Sequence, residues 1–495
     1  MNLSLISLEL AVVGLGIVML LADLWLPVER KRAIGYAAAA ILGILLLNSF
    51  TSHCSCALIG QSAFGGMFVQ DALSVFFKRF FLLAAVLTLV LAVEFSDRIA
   101  AGISEYYSLI VFALAGMVFA ASANDFALLF VAIELITVTF YVLTSFTRSK
   151  VKSLEAGVKY LILGALSSAF MVYGIALVWG TSGKFNFTEL AQVVGNFAGN
   201  KVFLFGVLFI LVGLGFKIAA FPLQIWTPDV YQGAPTPTVA FLAVGSKAAG
   251  FVLLLRFLFY AIPSVTAQWT NLLIVISGIT ILYGNLCALP QRNLKRLLGY
   301  SSIAHAGYLL LGVAALAGAM ANGKSPIAND GGAAVLYYLA GYLFTTLAAF
   351  GVIAVVMKQL DTEDVSGLAG LNQRSPLLAT TMTLAMVSLA GIPPLAGFFG
   401  KFLLLKAVIE QGATNYGYYC LAFTALVGVV ISIYYYFGVV RAIYWSKETP
   451  DLSAIHLSWP MKASVAACVA GMFYLGLFPG ALLTMTSKAV SVLAH

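Results

Sequence analysis

Glu134, Lys217, Lys247 and Lys401 each stand inside a long apolar run: Leu-Phe-Val-Ala-Ile-Glu134-Leu-Ile-Thr, Gly-Leu-Gly-Phe-Lys217-Ile-Ala-Ala, Gly-Ser-Lys247-Ala-Ala-Gly and Gly-Phe-Phe-Gly-Lys401-Phe. If such runs are helices in lipid, a charge near a helix centre costs roughly 2.5–3.5 kcal/mol on insertion scales, so its retention calls for a reason. The chemistry open to an acid and three amines is proton exchange. Burial disfavours the charged form of either group and a nearby opposite charge restores it, so a change in spacing or charge moves a proton between them. Glu134 and Lys217 fit such a relay, and they equally fit a static ion pair that fixes helix packing. Lys247 is flanked by Gly245, Ser246, Ala248, Ala249 and Gly250, which allow close helix contact and leave an ammonium few partners except a facing acid or water. Lys159 and His305 are weaker members of the set. Lys159 lies about two turns from a basic loop and could snorkel to it, and His305, between Ala304 and Ala306, equally fits a satisfied core histidine. Lys295 and Lys406 are expected to reach an interface, and Lys78-Arg79 has no evident partner.

Other chemistry is poorly served. Of the five cysteines, Cys54 and Cys56 form an isolated C-x-C and three lie singly in apolar runs, which is no framework for a disulfide core, an iron–sulfur cluster or a zinc site. No nucleophile, metal set or acid pair at catalytic spacing appears, which argues against an independent intramembrane enzyme.

The elements that must hold these residues follow from composition. Hydrophobic residues fill 62% of 495 positions, charged residues 9%, and mean hydropathy is +1.00, so the bilayer is the solvent. The runs are long and rich in Leu, Ala, Val, Phe and Gly rather than alternating, so the fold is expected to be all-α and integral to the membrane. About fourteen spans are expected, from 4–26 to 458–488. The first is followed by Glu29-Arg30-Lys31-Arg32, the reverse of a secretory signal, and is expected to persist as a helix. Residues 185–198 are too polar to span and suit a short amphipathic segment at the surface. The net charge of +8 is scattered over short loops, which excludes a nucleic-acid patch and reads as a topology signal. Placing Arg30–Arg32 inside also puts Arg148, Lys150, Lys152, Arg292, Lys295, Arg296, Lys358, Arg374, Arg441 and Lys447 inside, with only Lys184, Lys201, Lys324 and Lys488 opposite. That asymmetry favours an even span count with both termini on the outer face.

Two spans are interrupted. The seventh carries Gly213, Gly215, Lys217 and Pro222; the twelfth, within 373–411, carries Gly391, Pro393, Pro394, Gly397 and Lys401. Proline removes a backbone donor and clashes with the preceding turn, so both are expected to break. They are five spans apart in order. A five-helix unit used twice would therefore be inverted, the arrangement that places ion sites near the midplane in secondary transporters. The expected division is 1–105 for helices 1–3, 106–262 for repeat one (helices 4–8), 263–444 for repeat two (helices 9–13) and 445–495 for the last helix. The turn Trp226-Thr-Pro-Asp-Val-Tyr-Gln-Gly-Ala-Pro-Thr-Pro-Thr238 follows the first break, with Asp229 available to cap or pair.

Residues 221–238, Phe-Pro-Leu-Gln-Ile-Trp-Thr-Pro-Asp-Val-Tyr-Gln-Gly-Ala-Pro-Thr-Pro-Thr, resemble the signature of the subunit N (subunit 2) family of proton-pumping NADH:quinone oxidoreductase, respiratory complex I. Ser388-Leu-Ala-Gly-Ile-Pro-Pro-Leu-Ala-Gly-Phe-Phe-Gly-Lys-Phe402 is similar to that family's broken twelfth helix, and the likeness covers essentially the whole chain. The resemblance implies an antiporter-like subunit of two inverted five-helix repeats. In it Glu134 and Lys217 would be the coupling pair, Lys247 the central lysine with His305 near the axis, and Lys401 the terminal proton donor or acceptor. It also implies that flavin, iron–sulfur clusters and quinone are held by partner subunits, with no cofactor in this chain. The expected partners are other membrane-arm subunits, neighbouring antiporter-like subunits among them, and membrane lipids, with no nucleic acid. The absence of an Arg-rich leader favours a bacterial inner membrane. The alternatives are a subunit of a multisubunit cation/proton antiporter, whose turn resembles a different acidic-alanine form, and a non-pumping structural membrane scaffold.

Overall fold

The computed structural model describes residues 3–27, 30–51, 60–99, 102–323, 330–360, 362–446 and 453–494. Cys54, Cys56, Glu29, Lys324 and Lys447 lie outside the described residues. The chain folds into α1 (Ser7–Asp23), α2 (Lys31–Thr51), α3 (Ala72–Phe95), α4 (Ile103–Ala121), α5 (Phe126–Thr144) and α6 (Val151–Ser182). The short surface helix α7 (Phe187–Val193) comes next, then α8 (Lys201–Ile218), α9 (Thr227–Gly233), α10 (Thr236–Ala261), α11 (Thr270–Ala288), α12 (Leu294–Ala321) and α13 (Gly331–Leu360). The chain ends with α14 (Pro376–Ala390), α15 (Ala396–Ile409), α16 (Gly417–Trp445), α17 (Trp459–Leu477) and α18 (Gly480–Val490). A two-stranded hairpin, Gln61–Ala63 with Phe68–Gln70, leads into α3. Thirteen of these helical segments are long and apolar enough to cross a membrane, and α14 with α15 make one more, interrupted span. The protein is thus an all-α, multi-pass membrane protein, as its composition requires. The last span is shorter than 458–488: α17 ends at Leu477, and Pro479 breaks the chain before the separate helix α18.

Helix starts are set by short polar side chains that satisfy free backbone donors. Asp71 accepts from Ser74 N at 2.7 Å while Ser74 Oγ accepts from Asp71 N at 2.9 Å, a reciprocal box that opens α3. Asp125 accepts from Ala127 N at 2.6 Å to open α5, and Asn293 from Arg296 N at 3.0 Å to open α12.

Those last two caps belong to a repeated device. Around Asp125 and Asn186, Phe126 N donates to Phe185 O at 3.3 Å and Phe187 N to Asn124 O at 2.9 Å. Around Asn293 and Asp364, Leu294 N donates to Glu363 O at 2.8 Å and Val365 N to Arg292 O at 2.9 Å. Both are isolated antiparallel bridges tying the start of one span to the segment after the next. They are five spans apart, so they fall at opposite membrane faces. The same pairing thus recurs five spans further along the chain.

α10, α12 and α13 are buried along nearly their whole length, whereas α1, α2, α6 and α17 are largely exposed. Lipid supplies little hydrophobic drive between helices, so close approach depends on small residues. A Cβ on Gly307 would lie 2.7 Å from Ile281 N, which shows how tightly α12 seats on α11. α10 is also irregular: Leu242–Ser246 and Arg256–Ala261 are π-helical turns on either side of the regular stretch Lys247–Leu255.

Candidate functional site

Both interrupted spans break where the sequence places the strain. α8 ends at Ile218 with Ala219 in the left-handed region at φ +61°, and Pro222 follows. α14 ends at Ala390 with Gly391 in the left-handed region at φ +86°, ahead of Pro393 and Pro394. Lys217 lies two residues before the first break, and Lys401 is in the first turns of α15 after the second.

The four lysines and histidine named by position are sorted by the structure. Lys217, Lys247, Lys401 and His305 are all buried. Lys217 Nζ donates to Thr137 Oγ1 at 2.6 Å. Thr137 lies one turn along α5 from Glu134, which accepts a short hydrogen bond from Ser168 Oγ of α6. Lys247 Nζ donates to the Ser302 carbonyl at 2.5 Å and to the Ser302 hydroxyl, and lies 5.7 Å from the Tyr342 ring centroid. Lys401 Nζ donates to Leu389 O at 2.7 Å and Ala390 O at 3.1 Å, the carbonyls left free at the end of α14, and sits 4.8 Å from the Tyr308 ring centroid. Its stem folds over Gly391, where a Cβ would lie 2.8 Å from Lys401 Cδ. Among the described residues no carboxylate forms an ion pair with any of these three lysines. Lys247 thus faces a serine and a main-chain carbonyl where an acid was one expectation.

α8 and α10 bring two of the lysines close. Gly250 packs on the Lys217 stem, with a built Cβ 3.4 Å from Lys217 Cγ, and Lys247 lies one turn before Gly250. From Lys247 the polar path continues through side chains that sequence reasoning missed. Ser302 Oγ is 2.9 Å from Tyr231 OH and accepts from Tyr342 OH at 3.1 Å. His305, one turn along α12, has Nδ1 at 2.5 Å from Tyr338 OH and Nε2 at 3.0 Å from Tyr436 OH, which in turn is 2.5 Å from Ser301 Oγ. A signal was present: Ser301, Ser302 and His305 recur at helical spacing in α12, and Tyr338 and Tyr342 at i, i+4 in α13.

The signature turn braces this site. Trp226 Nε1 donates to Phe216 O at 3.1 Å, next to Lys217, and its ring stacks on Tyr160 with centroids 4.7 Å apart. Tyr231 reaches Ser302, as above. Asp229 accepts from Lys159 at 2.7 Å and from Arg296 Nη1 at 2.6 Å. Burial alone would raise the Asp229 carboxyl, and these two hydrogen bonds outweigh it and hold it below its ordinary value. Lys159 therefore belongs to a part-exposed network at the basic face, with Glu155 at 2.6 Å, and not to the buried set.

One of the two lysines expected at the interface is placed otherwise. Lys295 is buried: it pairs with Glu363 at 2.8 Å and donates to Ala234 O at 3.0 Å, because the loop after α13 folds back over the start of α12. Lys406 does reach the surface, paired with Asp330 at 2.8 Å. Lys78 has a partner, Glu9 of α1 at 2.7 Å, and also Gln70 at 2.5 Å; Arg79 Nε donates to Ser49 Oγ at 3.2 Å. Among the described residues no group of three or more His, Cys, Asp or Glu side chains is arranged to hold a metal ion.

Residues 123–432 match the family described as NADH:quinone oxidoreductase/Mrp antiporter, transmembrane. NADH-quinone oxidoreductase subunit N of Desulforamulus reducens is 38% identical over 99% of this chain and 98% of its own length. Among solved structures, a chain of respiratory complex I from Thermus thermophilus with bound aureothin superposes with a TM-score of 0.77 at 32% identity, covering 96% of this chain and 98% of that one. A chain of the Mrp complex from Dietzia shares the fold, with a TM-score of 0.82 at 21% identity over 99% of this chain and 98% of that one.

Proposed function

The chain belongs to the NADH:quinone oxidoreductase/Mrp antiporter transmembrane family, and from that premise we propose that it is a membrane-arm subunit of a NADH:quinone oxidoreductase, moving protons while quinone is reduced elsewhere in the complex. The observation that supports this reading is the set of three buried lysines whose hydrogen bonds end on neutral oxygens. An ammonium with a hydroxyl or carbonyl partner keeps its hydrogen-bond geometry when it gives up one proton, and no direct ion pair has to be broken.

In this reading Glu134 and Lys217 are the coupling pair: a shift of either changes the charge felt by the other across one turn of α5. Lys247 receives the proton next, over the face that Gly250 keeps open. Ser302 and Tyr342 lead to His305, whose two ring nitrogens face different tyrosines; a neutral imidazole accepts at one nitrogen and donates at the other, so exchange of tautomer passes a proton between Tyr338 and Tyr436. Lys401, at the broken end of α14, is the terminal donor or acceptor. Lys159 is left outside the relay. Residues 106–262 and 263–444 each supply half of the path, 1–105 and 445–495 flank them, and flavin, iron–sulfur clusters and quinone reside in partner subunits. Neighbouring antiporter-like subunits continue the axis. The complex resides in a bacterial inner membrane with both termini of this chain on the outer face.

The test is NADH-driven proton uptake by inverted membrane vesicles from a Lys247→Ala strain, normalised to assembled complex. Loss of pumping together with coupled turnover is the expected result. Unchanged values for both would reduce Lys247 to a packing residue and leave the chain a scaffold.

A further inference from the structure

On the basic face, between the α11–α12 connection, α12 and the last turns of α16, lies an open cavity of about 1030 Å³, just above the roughly 300–1,000 Å³ common for small-ligand sites. Two arginines line it, Arg292 from the α11–α12 connection and Arg441 from α16. Both are exposed, and neither forms an ion pair or side-chain hydrogen bond among the described residues. Asp364 also lines the cavity, so the local balance is two positive charges against one negative. The rest of the wall is of a different character: Tyr434, Phe437 and Trp445 of α16 line it and expose large apolar or amphipathic surfaces, Tyr434 and Trp445 being more than 70% exposed.

We infer that this cavity binds an anionic phospholipid, its phosphate held by Arg292 and Arg441 and its acyl chains laid along the aromatic side of α16. Each half of the wall matches one half of that ligand. Guanidinium forks suit a phosphodiester and can bind it bidentately. Tyrosine and tryptophan favour the headgroup level, with apolar ring and polar tip on opposite sides of the boundary. Positive charge on this side of the membrane follows from topology alone, but topology does not require two arginines to share one cavity with an aromatic wall. A free phosphate would use only the arginines, and a neutral lipid only the wall; the combination selects a charged amphiphile. A basic pocket between spanning helices is the form such headgroup sites take.

The intact complex is purified in mild detergent from strains carrying the wild-type chain, an Arg292→Gln/Arg441→Gln double variant, or Arg148→Gln as a matched change elsewhere on the basic face. Lipids retained through stepwise delipidation are counted by native mass spectrometry, and melting of the delipidated complex is followed on adding phosphatidylglycerol, phosphatidylcholine or inorganic phosphate. Wild type and Arg148→Gln are expected to keep phosphatidylglycerol severalfold better than the double variant, and to be stabilised by phosphatidylglycerol more than by phosphatidylcholine. Equal retention in the double variant, or equal stabilisation by the two lipids, overturns the assignment. Stabilisation by inorganic phosphate alone makes the pocket a free-anion site, and loss of a neighbouring subunit from the double variant makes it a protein interface; either result also overturns it.

Discussion

Two regions of this molecule bury charge in opposite ways. Where α1, α3 and α10 meet, every buried ion has a counter-ion: Glu9 faces Lys78 at 2.7 Å, and Arg256, fully buried, faces Asp71 at 2.8 Å and donates to Ala121 O at 2.8 and 3.0 Å. Along the axis through α8, α10 and α15, Lys217, Lys247 and Lys401 have only hydroxyl, carbonyl and ring partners. A buried pair is hard to discharge, because removing one charge strands the other. An ammonium among neutral oxygens has no such lock. The same residue type is therefore a fastener in one place and a candidate carrier in the other, and the partner decides which.

The strongest way to break this contrast is to remove the carriers. Lys217→Ala and Glu134→Ala are each expected to lower quinone reductase turnover and pumping together, on the order of 10²-fold as for loss of a positioned proton-transfer group, in complexes that still assemble; Lys217→Arg should restore little, since arginine holds its proton. Normal turnover in an assembled Lys217→Ala complex would place Lys217 among the fasteners. The converse concerns Glu9 and Lys78. Glu9→Gln alone is expected to destabilise by about 3–5 kcal/mol by stranding Lys78, read as less assembled complex, while Glu9→Gln with Lys78→Met should recover much of the loss and leave pumping per turnover unchanged. A smaller effect tests the neutral partners: Ser302→Ala removes a hydroxyl from Lys247 but leaves the carbonyl, so a stability cost of about 0.5–1.5 kcal/mol and a severalfold slower turnover are expected.

The smallest effect lies at the part-exposed network. Asp229 is held below its ordinary value of 3.8 by Lys159 and Arg296. A depressed carboxyl contributes stability that is complete above that ordinary value and is lost as pH falls through the folded one. Asp229→Asn should therefore lower stability slightly at pH 6, by about 0–1 kcal/mol for a screened pair, read as a small drop in melting temperature, and the gap to wild type should close in acid. A gap that is constant across pH would remove the ion pair as its cause.

Much of this was legible in the sequence because the bilayer permits few solutions. Apolar length gave the spans, Gly391, Pro393 and Pro394 marked one break, and Lys217 with Pro222 marked the other. Phe187, Leu190 and Val194 turned their apolar face inward as residues 185–198 suggested. What was not legible was partnership. Glu9 and Lys78 are 69 positions apart, and only the tertiary fold makes them a pair, although two ionisable residues in separate spans each lacking a partner are a signal to seek one another. Lys295 looked like a loop cation because α12 begins there; the fold-back of Glu363 buries it. The tyrosines around His305 were hidden by being ordinary aromatic residues in apolar runs, and their hydroxyls acquire meaning only where three helices converge.

The π-helical turns of α10 carry a consequence for anyone who reads that helix as a wheel. A π turn accommodates one residue beyond the α-helical count, so each shifts the phase of everything after it by about 100°. Lys247 follows one such turn and Arg256 opens the other. Strict 3.6-residue periodicity drawn from Thr236 therefore assigns Lys247 to the wrong side. Deleting a single residue between 242 and 246 should convert that turn to α-helix and swing the ammonium off Ser302 without altering any side chain at the site: a frame-of-reference mutation, in which geometry alone separates the amine from its partner.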